Sequence, residues 1–256
     1  MEILKKSSKK EVHPHIPELK ELFKKGRITR REFLRNTTLL GLSAVAANAF
    51  VSPFTAQEAF AATMPQRGGT WTCAMTLQLI DHPARLSWSE GANVVKQVSE
   101  YLTDTGVDNI TRPMLCKKWT ASEDLKTWDL YLHQGVRFNN GQLMTADDVI
   151  FTMNQWLNKD VGSSMLGLLS YWGGPQNIEK VNDYHIRLHL AAGNIGVPEH
   201  LWHYPGVILP RTFEGDFIKQ PVGTGAFTLE EYAEGERCVL KARKDYWRKG
   251  ADGKPM

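Results

Sequence analysis

From residue 68 onward, apolar and polar positions alternate in short blocks punctuated by Gly, Asn and Pro. After Gly68-Gly69, Trp71, Cys73, Met75 and Leu77 alternate with Thr and Gln, which predicts a half-buried strand over 70–79. Val94, Val95, Val98, Tyr101 and Leu102 then recur at helical spacing after Gly91, which predicts a helix. The period returns to two over 128–138, where Trp128, Leu130, Leu132 and Val136 share a face, and Asn139-Asn140-Gly141 closes that run in a tight turn. Thr145 is a helix cap followed by Asp147 and Asp148, two carboxylates beside the positive end of the helix dipole. Val149, Ile150, Met153, Trp156 and Leu157 carry that helix onward. Residues 184–190 and 237–242 alternate again. The pattern predicts a mixed α/β body in which strands dominate, with no internal repeat and no low-complexity linker.

The front of the chain follows a different plan. Lys24, Lys25, Arg27, Arg30, Arg31 and Arg35 form a basic region, and 36–54 contains no charged residue. Leu39, Leu40, Leu42, Val45, Phe50 and Val51 are diluted there by Gly41 and several Ala, and Pro53 ends the run, so it is too weakly apolar for a membrane span. Ala47-Asn48-Ala49 and Ala59-Phe60-Ala61 have the spacing a signal peptidase accepts; the polar Gln57-Glu58 favours cleavage after Ala61. Thr29-Arg30-Arg31-Glu32-Phe33-Leu34-Arg35 resembles the twin-arginine export signal, carried by Arg30, Arg31, Phe33 and Leu34, with Arg35 in place of the commoner Lys. The other reading of the same residues is an amphipathic surface helix with Phe33 and Leu34 packed on a core. No Cys follows the apolar run in a lipobox setting, and the sequence assigns no role to the amphipathic Leu19, Leu22 and Phe23.

Composition narrows the class. With 256 residues, 42% hydrophobic and 23% charged, the chain is neither collagen, coiled coil nor disordered, and its length allows one or two domains. The net charge of +3 is unevenly placed: residues 1–61 carry 11 Lys/Arg against 6 Asp/Glu, and 62–256 carry 20 against 22, so the body offers no nucleic-acid surface. Cys73, Cys116 and Cys238 are three, so at least one stays unpaired within the chain. No C-x-x-C exists to hold zinc or an iron–sulfur cluster, and each cysteine reads as a small buried hydrophobe.

No catalytic constellation emerges. The chain lacks G-x-S-x-G, H-E-x-x-H and Walker sequences, and Gly223-Thr224-Gly225 lacks the third glycine of a dinucleotide fingerprint. Glu199-His200-Leu201-Trp202-His203 sets two imidazoles three apart beside a carboxylate. Pro198 and Pro205 bracket the segment and favour a loop or short turn over a metal-binding helix. Capping accounts for Asp147-Asp148 without an acid–base role. The expectation is no catalytic residue, no metal and no cofactor.

The order of motifs carries a resemblance. Pro113-Met114-Leu115 through Trp119, Ser122 through Trp128, Gly135 through Gly141 and Thr145 through Val149 are similar to the signature region of extracytoplasmic solute-binding proteins of family 5, which serve peptide and nickel ABC transporters. The likeness continues through Asn177 to Val181, Asp183-Tyr184, Pro221 to Phe227 and Asp245-Tyr246-Trp247, covering 68–250. Cys116 stands where the family usually has a small Ala, and Ala226 where it often has Pro.

The resemblance implies a periplasmic-binding-protein-like two-lobe α/β fold of the type II, peptide-binding class. Residues 1–61 would be the signal, 62–105 and 179–256 most of lobe I, and 106–178 its inserted subdomain, with the second lobe beyond Met256. It implies the substrate-binding component of an ABC transporter, periplasmic, capturing an oligopeptide- or dipeptide-like solute by lobe closure and passing it to the permease membrane subunits, after export by the twin-arginine translocase. It places the ligand against Ser87, Trp88, Ser89 and Glu90, a loop that offers backbone groups to an extended peptide, with Trp88 either walling a side-chain pocket or packing on its own lobe. Asn140-Gly141 and 221–227 read as packing turns. Two other functions stay open: a cofactor-bearing enzyme exported by the twin-arginine route, and transport of nickel or another chelated metal within the same family.

Overall fold

Strong local signals begin and end most elements. The computed structural model describes residues 13–41, 68–250 and 252–256. The apolar run from Leu42 and both small-residue cleavage sites lie outside them. The chain divides into two units, 1–72 and 73–256.

In the first unit, helix α1 (Ile16–Lys24) opens on Pro17 and closes on Gly26, whose φ of +66° suits a residue without Cβ. Helix α2 (Arg30–Leu39) starts at a capping box in which the Glu32 amide donates to Thr29 Oγ1 and the Thr29 amide donates to Glu32 Oε2 (3.3 and 2.7 Å). Among the described residues no helix is long and apolar enough to cross a membrane.

In the second unit, α3 (Ser89–Val98) is followed by the hairpin β1 (Thr103–Thr105) and β2 (Thr111–Pro113). Next come β3 (Cys116–Ala121), β4 (Thr127–Leu132), α4 (Ala146–Leu157), a one-turn α5 (Met165–Leu168), β5 (Ile178–Asn182), β6 (His185–His189) and a one-turn α6 (Val197–His200). A second hairpin, β7 (Phe227–Ala233) and β8 (Arg237–Ala242), completes the unit. Strands β3 to β6 form one antiparallel sheet in the order β3-β4-β6-β5. Trp128, Leu130 and Leu132 of β4 alternate inward with Ile186 and Leu188 of β6, and α4 lies over β5 and β6 with Val149, Met153 and Trp156 fully buried. A second core gathers Val94, Val95 and Val98 of α3 with Ile80, Val207, Leu209 and Phe217, and Leu229, Tyr232 and Leu240 of the β7–β8 hairpin pack against it.

Three expectations change. Residues 70–79 make no strand: among the described residues nothing pairs with them as a ladder, and only the Gly235 amide on Leu77 O (2.9 Å) and the Tyr232 hydroxyl on Gln78 O hold them. Alternation marks one face to bury, but a strand also needs a neighbouring edge. The run at 128–138 ends as a strand at Leu132, because His133 to Gly135 turn the chain; Val136 and Phe138 are buried from the following segment. The helix at Thr145 forms as expected, with a reversed burden at its cap. Asp148 is fully buried and accepts from the Thr145 amide (2.9 Å), Gln142 Nε2 (3.2 Å) and the Arg211 amide (3.0 Å). Cys116 is buried, its thiol pushed up to about 12 by burial, and Cys238 is half-buried; Cys73 is exposed, contrary to its reading as a buried hydrophobe.

Candidate functional site

Residues 81–91 make a clamped loop leading into α3. His82 caps a short 3-10 turn (Pro83–Arg85): its Nδ1 accepts from the Ala84 amide (3.1 Å), which leaves Nε2–H to donate to Gln155 Oε1 (3.3 Å). Burial holds the His82 pKa below its ordinary value, so the ring is neutral at physiological pH. Arg85 Nε donates to Val161 O (2.6 Å) and Nη1 to Asp81 Oδ2 (2.8 Å). Ser164 Oγ donates to Leu86 O (3.1 Å). Against the upward push of partial burial, the His82 amide and the Arg85 guanidinium hold Asp81 below the usual carboxylate range. Gly91 lets the loop fold back on α3, since a Cβ there would stand 2.9 Å from Leu86 Cδ2.

The loop walls a cavity of about 360 Å³ lined by Gln78, Leu79, Asp81, Arg85, Ser87 and Trp88, among others. Trp88 lines the cavity and is 63% exposed, so it is not buried in either core. Of the four loop residues singled out in the sequence, Ser87 and Trp88 line this cavity. Ser89 and Glu90 lie in the first turn of α3, Ser89 Oγ bonded to Glu90 Oε2 (3.1 Å), outside the lining. Sequence reasoning missed Asp81 and Arg85. Their i, i+4 spacing across Pro83 was the available signal, but an ion pair of that spacing is common on any surface. The cavity can hold a small side chain between an apolar wall and an ion pair, and the backbone of 73–76, outside any ladder among the described residues, can receive an extended chain.

The remaining motifs have other positions. The Asn139 amide donates to Gly223 O (2.9 Å) and its Nδ2 to Pro221 O (2.8 Å), so the two turns read as structural are bonded to each other. A Cβ on Gly223 or Gly225 would lie 2.1 Å from Val98 O or 2.4 Å from Gln97 O, an approach only glycine allows. His200 Nδ1 meets the Tyr171 hydroxyl at 2.8 Å, and burial lowers the pKa of both His200 and His203. Among the described residues no three His, Cys, Asp or Glu side chains converge on a point that could hold a metal. Arg31, Phe33 and Leu34 lie in α2, in the first unit, with Arg31 exposed, Phe33 buried and Leu34 half-buried; Arg30 opens the same helix.

Comparison with known proteins places this geometry in a family. The di/tripeptide-binding protein 1 of Pseudomonas aeruginosa is 26% identical over 159 residues, covering 53% of this chain and 30% of its own length. The oligopeptide-binding protein AppA of Bacillus subtilis is 29% identical over 189 residues, 61% of this chain and 32% of its own. The solved structure of AppA in complex with a nonapeptide superposes with a TM-score of 0.62 at 22% identity, over 71% of this chain and 37% of that one, which establishes a shared fold. The chain thus spans about a third of the length of the curated relatives it matches. The family model for the middle region of bacterial extracellular solute-binding proteins, family 5, matches residues 111–255, more than half of the sequence, and the chain belongs to that family.

Proposed function

We propose that this chain supplies one wall of the binding cleft of an ABC-transporter substrate-binding protein, which captures a peptide-like solute outside the cytoplasm and delivers it to the permease without chemical change. The observation that carries the reading is the clamped loop, which holds Ser87 and an exposed Trp88 over a cavity close in sequence to the backbone of 73–76, which pairs in no ladder among the described residues. An extended peptide would add to that backbone as a strand, drop a side chain beneath Trp88, and be enclosed when a second lobe closes over it. Residues 62–105 and 179–256 belong to lobe I on this reading, 106–178 form its inserted subdomain, and 1–61 are a twin-arginine signal cleaved near Ala61. Ser89 and Glu90 would act through the position of α3 and not by touching the ligand.

The test is calorimetry and Trp emission with di- to nonapeptides, and separately with nickel chelates, on the protein and its Trp88→Ala and Glu90→Gln variants. Peptide binding that Trp88→Ala weakens and Glu90→Gln leaves intact is the expected result. Heat released by a nickel chelate and by no peptide would replace the peptide reading with the metal-transport one.

A further inference from the structure

The binding reading leaves the helical hairpin of residues 13–41 without a task, although it contains the whole export motif. Helix α2 begins at the motif itself: Thr29 caps it, Arg30 and Arg31 are its first residues, and Phe33 and Leu34 follow within the second turn. Phe33 has no exposed surface, and its ring centroid lies 5.3 Å from that of Phe23 on α1, at an interplanar angle of 36°. Ile16 at the start of α1 is buried as well. Thr37 is buried one turn beyond Phe33, its hydroxyl bonded to Phe33 O (2.8 Å). The capping box and the left-handed Gly26 fix the two ends that must meet for the hairpin to form. Arg31 and Arg35 remain exposed. Arg31 and Arg35 of the motif are therefore displayed while Phe33 is hidden, with Phe23 of α1 packed against it.

We infer that the hairpin masks the export signal: α1 holds Phe33 in a folded contact, and a translocase that reads the motif must first open α1 from α2. The inference rests on the twin-arginine reading of Arg30 and Arg31. A receptor that needs Phe33 free binds only the open fraction of the precursor, so its apparent affinity is reduced by that fraction. Anything that loosens the hairpin then speeds export, although it damages a folded element.

The experiment is pulse-chase processing of the full precursor in a bacterial host, with backbone hydrogen exchange on the purified full chain. Phe23→Ala removes the aromatic partner of Phe33. Gly26→Val acts elsewhere: no atom lies within 4 Å of a Cβ there, so the whole effect is the strain of a β-branched residue at φ +66°. Both variants should lose exchange protection at the Phe33 and Thr37 amides and be processed about fivefold faster, or more, as the open fraction rises. Arg30→Lys with Arg31→Lys should block export. Normal export of that double variant would overturn the twin-arginine reading and the mask with it. A blocked double variant, together with loosened Phe23→Ala and Gly26→Val precursors processed no faster than the parent, would overturn the mask alone. Protection at Phe33 that survives both changes, or is absent in the parent, would also overturn it.

Discussion

Glu100 offers the sharpest test of the packing described above. Its carboxyl group is 2% exposed and receives two donors from the far end of the chain, Tyr246 OH on Oε1 (2.5 Å) and Trp247 Nε1 on Oε2 (2.7 Å), while the Ile208 amide donates to its carbonyl (2.8 Å). Burial pushes the carboxyl pKa up, opposed by the Tyr246 and Trp247 donors and by Arg248. On protonation the Tyr246 hydroxyl must turn from donor to acceptor at Oε1, while Oε2 goes on accepting from Trp247. Gln reproduces that arrangement, its Nε2 facing Tyr246 and its Oε1 facing Trp247. Glu100→Gln should therefore melt within about 1 kcal/mol of the parent at acid pH. Glu100→Ala leaves two buried donors without an acceptor at about 1–3 kcal/mol each, so a loss of about 4 kcal/mol is expected.

The sign of the pH dependence follows from linkage. A carboxyl group whose folded pKa is raised contributes stability that is fully present below the unfolded value of about 4.3 and is lost as pH rises through the folded value. Gln does not titrate. The stability of Glu100→Gln minus that of the parent should thus increase from pH 4 to pH 8, measured by urea or thermal melts of the same chain, and the difference cancels the other carboxylates. A difference independent of pH, or one that favours the parent as pH rises, would show that Glu100 is ionised and well solvated by its donors, and would refute the argument from burial.

Three further outcomes are expected. Asp148→Ala strands three N–H donors at the start of α4 and should cost about 4 kcal/mol, against about 1 kcal/mol for Thr145→Ala, so urea midpoints that reverse the order would reassign the cap. Gly225→Ala forces its Cβ onto the carbonyl of Gln97 and must break the bond from the Gly225 amide to Val98 O (2.8 Å); a loss of about 3 kcal/mol is expected, and a neutral thermal shift would contradict that close approach. In the folded chain a maleimide should modify Cys73 at once and Cys116 only after denaturation, because the Cys116 thiol is buried, its Sγ set against Lys118 O (3.0 Å), and its pKa is pushed up to about 12; mass spectrometry of the labelled peptides decides.

What could be read from the sequence was whatever local chemistry specifies. The α4 start, the tight turn at Asn139 to Gly141 and the alternations over β4, β6 and β8 each have residues that fix their own conformation, and each element formed there. Strands β1, β2, β3, β5 and β7 escaped the pattern. β1 and β2 are only three residues long, β2, β3 and β5 expose most of their residues at edges or in a two-stranded ribbon, and β7 is half-buried along nearly its whole length, so burial leaves little periodicity to detect. The segment 70–79 failed in the opposite sense, with alternation present and no partner strand among the described residues. At the candidate site the loop and Trp88 were singled out by the family resemblance and by no local pattern. Asp81 and Arg85 were not, because their roles depend on Val161 and the fold of the loop, some 75 residues away in sequence.

The motifs that identify the family converge on one joint. Val98 O at the end of α3 accepts from the Gly225 amide, Gly223 O accepts from Asn139, and Arg243, only 8% exposed, donates from Nη1 to Gly225 O (3.1 Å) and from Nη2 to Arg137 O (3.4 Å). Arg243 is paired in turn with Asp245 (3.0 Å), and the next two residues, Tyr246 and Trp247, reach Glu100 just past the same helix. These contacts leave glycine, a guanidinium and a buried carboxyl little freedom to change, since each substitution would strand a donor or drive a Cβ into backbone. No residue of 81–88 takes part in these bonds, so that loop can vary without disturbing any of them. Asn139, Gly223 and Gly225, which carry the resemblance to the family, therefore help hold α3, and with it the loop that α3 carries, in place. On the proposed binding reading, ligand choice falls to side chains such as Leu79, Arg85 and Trp88, whose identities the joint does not constrain. An exchange of those three for the residues at the same positions of a relative should change ligand preference while leaving the melting temperature nearly unchanged, whereas an exchange of Asn139, Gly225 or Glu100 should do the reverse. Equal loss of stability from both sets would show that loop and joint are one structural unit and that the separation argued here is false.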